Sequence, residues 1–95
     1  MPYAAELCAA FILKLRSKMP TILRIFGYRF FFFSNEGNEP PHIHIEKAEA
    51  YAKYWLEPVE LASSYSFNAK ELNELRKLVL ENKSLFEQKW HEYFS

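Results

Sequence analysis

Thr21-Ile22-Leu23-Arg24-Ile25-Phe26-Gly27-Tyr28-Arg29-Phe30-Phe31-Phe32-Phe33 is the stretch that decides the fold. Its first half is β-branched and aliphatic, its second half is almost wholly aromatic, and a single Gly27 divides them. Two strand-forming runs around a glycine predict a hairpin. Side chains alternate along a strand, so four consecutive phenylalanines cannot share one face. Either both faces of the second strand are covered, or one Phe pair awaits a partner.

Downstream, Ser34 to Pro41 is the clearest loop of the chain, rich in Asn, Glu, Gly and Pro. His42 to Glu46 reads as a third strand and Ala50 to Leu56 as a fourth, after a turn around Lys47 to Glu49. Pro58 interrupts pairing, and Val59 to Ser63 is a short fifth candidate. The last third is helical. Asn68 with Glu71 three residues on forms a capping box, and Leu72, Leu75, Leu78 and Val79 follow on one face. Asn82 and Lys83 interrupt, and Ser84 with Glu87 offers a second box. Leu85, Phe86, Trp90, Tyr93 and Phe94 carry the apolar stripe to the end. The expected class is α+β, with a four- or five-stranded antiparallel sheet followed by one or two C-terminal helices packed on one face.

Upstream, Leu7, Phe11 and Leu15 recur at four-residue spacing and predict an extra short N-terminal helix. Met19-Pro20-Thr21 stands just before the first strand, as a natural start would. Residues 1–18 then form an N-terminal extension and 19–95 the single domain. The other account is an accessory helix over a sheet edge or a partner surface.

At 95 residues the chain has the length of one domain, and 49% apolar with 18% aromatic residues excludes a disordered one. Formal net charge is zero; from residue 19 onward nine Lys and Arg face eleven Glu, a charge of −2. That balance argues against non-specific DNA binding through phosphates. The single Cys8 excludes an internal disulfide framework and a Cys-only zinc site. The longest apolar run, Leu7 to Leu13, is far short of the roughly 20 residues of a membrane span. Its cations follow it, the reverse of a secretory signal. The expectation is a cytoplasmic protein with no membrane partner.

Chemistry concentrates in Pro40-Pro41-His42-Ile43-His44-Ile45-Glu46. On a strand, His42, His44 and Glu46 point to one face, alternate Cα atoms being about 6.5–7 Å apart. Pro40 and Pro41 stiffen the entry. Such a row has three uses: a divalent transition-metal site, a general acid–base pair near neutral pH, or a merely polar strand face. Lys53 shares a face with Tyr51 and Trp55 in the next strand. There it would stabilise a phosphate or oxyanion, or shield a sheet edge as an ordinary lysine. Arg29 reads as a surface charge or a contact residue. His91 falls off the apolar stripe. It is either a third imidazole for the site or a helix-terminal His favoured by the dipole.

Four motifs taken in order carry a resemblance: Met19 to Glu36 with its Met-Pro-Thr start, Glu39 to Glu46 with Pro-Pro-His-x-His, Ala52 to Ala62, and Trp90-His91-Glu92-Tyr93-Phe94. Together they resemble a small bacterial family catalogued as a domain of unknown function. Its members are commonly encoded beside a second small domain, turn up in mobile-element cassettes, and include the DhiT-type toxin of type II toxin–antitoxin pairs. The resemblance spans Met19 to Phe94 and leaves out residues 1–18. It implies a toxin-like component with a small antitoxin encoded nearby as partner, and RNA as a further candidate. It matches His42, His44, Lys53, Trp55 and His91 to family positions and transfers no catalytic assignment.

For an enzyme, the expected activity is RNA cleavage without metal or cofactor. His42 and His44 act as base and acid, and Lys53 stabilises the phosphate. Glu46, Trp55, Arg29 and His91 would contact the ligand. His42, His44 and Glu46 supply at most three metal ligands, so zinc is expected to be weak or absent. The alternative is a non-catalytic adaptor whose His face is polar surface. Oligomeric state stays open, a dimer being one option.

Overall fold

The computed structural model describes residues 21–34 and 36–94. The helix expected over residues 1–18 lies outside them. Five strands follow one another, β1 (Thr21–Ile25), β2 (Tyr28–Phe31), β3 (His42–Lys47), β4 (Ala50–Leu56) and β5 (Val59–Tyr65), then α1 (Ala69–Glu81) and α2 (Lys83–Phe94). The sheet is an antiparallel meander in chain order, β1-β2-β3-β4-β5. The fifth strand thus runs to Tyr65, two residues beyond its expected end.

Phe26 and Gly27 form the two-residue turn of the first hairpin, with φ of 53° and 83°. Positive φ at both turn positions matches the right-handed twist of the flanking strands. Gly27 takes this conformation at no cost; Phe26 does not.

Alternation sorts the aromatics of β2 and its continuation as the sequence demands. Phe30 and Phe32 join the core with Tyr28, Ile43, Ile45, Ala52, Tyr54 and Leu56. On that face Leu75, Leu78 and Val79 of α1 and Phe86 and Trp90 of α2 close the helical layer. Phe30 stacks on Phe86 at 5.3 Å between ring centroids, and Phe32 meets Trp90 edge-on at 5.2 Å. Tyr54 buries its ring here and donates its hydroxyl hydrogen to the Leu72 carbonyl at 2.7 Å, tying sheet to helix. Phe31 and Phe33 go to the opposite face.

The first capping box forms as read. Asn68 Oδ1 accepts from Glu71 N at 2.8 Å, and Glu71 Oε1 accepts from Asn68 N at 3.0 Å. The second does not form, because Ser84 already lies inside α2. Asn82 makes the junction alone: its N–H reaches the Leu78 carbonyl and its own carbonyl accepts from Phe86 N. Glu87, freed from capping, takes Lys83 Nζ at 2.9 Å. Among the described residues, no helix is long and apolar enough to cross a membrane.

Candidate functional site

Strand register builds the site. Across β2, β3 and β4, Phe31 lies beside His44 and His44 beside Lys53; Arg29 lies beside Glu46 and Glu46 beside Tyr51; His42 lies beside Trp55. All project from the sheet face opposite the helices, because their neighbours Phe30, Ile43, Ile45, Ala52 and Tyr54 fill the core. The register sets the row of His42, His44 and Glu46 beside the row of Tyr51, Lys53 and Trp55 on one face.

That face is not open. His42 is 0% and His44 2% exposed. Phe31 stacks on the His44 ring at 5.5 Å, Phe33 meets it edge-on at 4.5 Å, and Tyr51 stacks at 5.8 Å. Trp55 and Trp90 flank His42 at 5.5 and 4.7 Å. Over this aromatic bed lie the described residues of the segment from Phe33 to Pro41. They are held down by Pro41 O, which accepts from Leu56 N at 3.1 Å, and by Gly37, where an added Cβ would sit 2.9 Å from Phe94. Only glycine fits that approach.

The segment delivers Glu36 to the histidines. Its Oε1 lies 2.8 Å from His42 Nε2 and 2.7 Å from His44 Nε2, and also accepts from Phe33 N at 3.3 Å. The outer ring nitrogens are fixed as well. His42 Nδ1 is 2.9 Å from the Pro40 carbonyl, and His44 Nδ1 is 2.7 Å from Tyr51 Oη. Among the described residues, Glu36, His42 and His44 are a group whose ligating atoms all lie within 4.8 Å of one another.

Burial alone would raise the Glu36 carboxyl. The hydrogen bonds from His42 and His44 overcome that and hold it at about 2. Burial lowers His44, against the pull of Glu36, so this ring favours the neutral form. A neutral His44 still donates from Nε2 to the carboxylate, while the Tyr51 hydroxyl donates to Nδ1. Burial, and then the Glu36 charge, raise the Tyr51 hydroxyl and keep its proton in place. The setting of His42 differs, since both of its partners, a carbonyl and a carboxylate, only accept.

One expectation changes. The carboxylate of the His cluster is Glu36, not Glu46; Glu46 is drawn away by Arg29, whose Nη1 donates to it at 2.8 Å. Arg29 also donates to Thr21 Oγ1 and lies over the Phe31 ring. The scheme of metal-free RNA cleavage needs ring nitrogens within reach of a substrate, and in this arrangement all four are enclosed and bonded. Lys53 stands at the rim, with Nζ 3.0 Å from Glu39 and 4.4 Å from the Trp55 ring centroid. His91 is exposed on α2, near Glu57 and Glu87.

Glu36 and Tyr51 carry the site with the histidines, and the sequence reading gave neither a role. Glu36 has no periodic signal. Its one clue is that a loop leaving Phe33 and returning at Pro41 must pass over the neighbouring strand ends.

Residues 27–91 match the family model described as a domain of unknown function (DUF4160). No curated protein and no solved structure shows significant similarity to the chain.

Proposed function

The chain belongs to the DUF4160 family, and we propose that it works by binding a second small protein, as the toxin-type component of a two-gene toxin–antitoxin module. The observation that supports the binding part is Phe26. It is 75% exposed and sits at φ 53°, where a bulky side chain is strained. A hairpin turn of this kind prefers Asn or Asp before its glycine. An aromatic there serves neither the turn nor the core, and it borders a groove of about 620 Å³ between the hairpin tips and α1. Tyr28 and Leu78 line the groove with Phe26, while Lys47, Lys77, Glu74 and Glu81 supply charge of both signs. An apolar anchor beside a mixed-charge rim suits a protein partner better than a polyanion.

The test is expression of the full chain from a tightly controlled promoter, with and without the gene encoded beside it. Growth arrest relieved by the neighbour, together with co-purification of the two proteins, is the expected result. Normal growth in both cases and no co-purification removes the reading. Co-purification without any growth effect selects the adaptor alternative.

A further inference from the structure

A hydrogen-bond count at His42 leads beyond partner binding. The Pro40 carbonyl can only accept, so His42 Nδ1 carries a hydrogen. A neutral ring then has its lone pair on Nε2, aimed at a Glu36 oxygen 2.8 Å away. Lone pair and carboxylate repel at that distance, and a metal ion held between Nε2 and Oε1 would satisfy both.

We propose that Glu36, His42 and His44 form a divalent transition-metal site of the zinc type, using Oε1 and the two Nε2 atoms. Both rings turn the same nitrogen inward, and both outer nitrogens are anchored. Metal-bound histidines are ordinarily held this way, the far N–H donating to a carbonyl, carboxylate or other fixed oxygen. The Pro40 carbonyl meets that need as it stands. Tyr51 Oη meets it by turning its hydrogen aside and accepting from His44 Nδ1, which a hydroxyl does readily. Two imidazoles and a carboxylate are a borderline-soft donor set that suits zinc and leaves a fourth position open. Tetrahedral bonds of about 2.0–2.1 Å place neighbouring ligand atoms about 3.4 Å apart. Glu36 therefore withdraws by well under 1 Å from its present 2.7–2.8 Å contacts, and the two imidazole rings turn toward each other, since the ligating atoms of the group now span up to 4.8 Å. The proposal stands on this geometry and is independent of the partner-binding reading.

The full chain, stripped with EDTA and dialysed, is titrated calorimetrically with zinc chloride and followed optically with cobalt chloride. One ion per chain is expected, with protons released as the ligands give them up, and cobalt should show the intense visible bands of tetrahedral coordination. Glu36→Gln should abolish zinc binding, His91→Ala should leave it unchanged, and Tyr51→Phe should weaken it by about 10- to 100-fold. No saturable zinc binding, retention in Glu36→Gln, or loss in His91→Ala would overturn the site. Should Glu36→Gln fail to fold, the wild-type cobalt spectrum decides, because weak octahedral bands contradict the proposed ligands.

Discussion

At the scale of single residues, Glu36 holds the histidine face together by accepting from two rings and a backbone amide at one oxygen. Glu36→Gln keeps the shape but replaces a charged acceptor with a neutral one, so two charge-assisted bonds weaken. We expect a loss of roughly 2–3 kcal/mol, measured by urea unfolding of the metal-free chain. The same residues set the acid limit. Glu36 is held at about 2 against an ordinary 4.5, so its stabilisation is full above pH 4.5 and is lost as pH falls toward 2. His44 is lowered from 6.5, so below that pH the unfolded chain takes up the proton first and stability falls in the same direction. Thermal midpoints of EDTA-treated protein should decline from pH 6.5 downward, and Glu36→Gln should flatten the limb below 4.5. A midpoint that rises on acidification contradicts both assignments. The strand alternation was legible at this scale and placed His42 and His44 together. The identity of their carboxylate was not, because a loop residue reaches its partner through the path of the chain and no spacing rule records that path.

At the scale of elements, local signals succeeded where one residue decides and failed where two compete. Asn68 has only a loop before it, so its capping box with Glu71 forms. Ser84 stands too close to Asn82, which closes α1 and opens α2 within one residue, and the second box has no loop in which to form. Asn68→Ala should cost about 1 kcal/mol, while Ser84→Ala, removing no cap, should change stability by under about 0.5 kcal/mol. Equal losses in paired chemical denaturations would show that Ser84 caps as Asn68 does. The four phenylalanines after Arg29 follow the same logic. Their alternation left two outcomes, both faces covered or one Phe pair awaiting a partner, and the second cover is the described part of the segment from Phe33 to Pro41, which the sequence marks only as loop.

At the scale of the whole molecule, the helices cover one sheet face, the loop bearing Glu36 covers much of the other, and the hairpin tip at Phe26 is left outside both. Folding alone gives no reason for a phenylalanine there, since it buries little and costs left-handed strain. Asn before Gly27 is the residue this turn prefers. Phe26→Asn should therefore raise the stability of the isolated chain by about 0.5–1 kcal/mol, through relief of that strain. If the groove it borders is the partner surface, the same substitution should weaken co-purification with the adjacent gene's product, because the anchor is gone while the fold is firmer. The two effects run in opposite directions, which separates loss of a contact from loss of structure. Thermal unfolding and pull-down on the same preparation read both. A less stable Phe26→Asn means the turn is not strained, and unchanged capture of the partner places the binding surface elsewhere on the molecule.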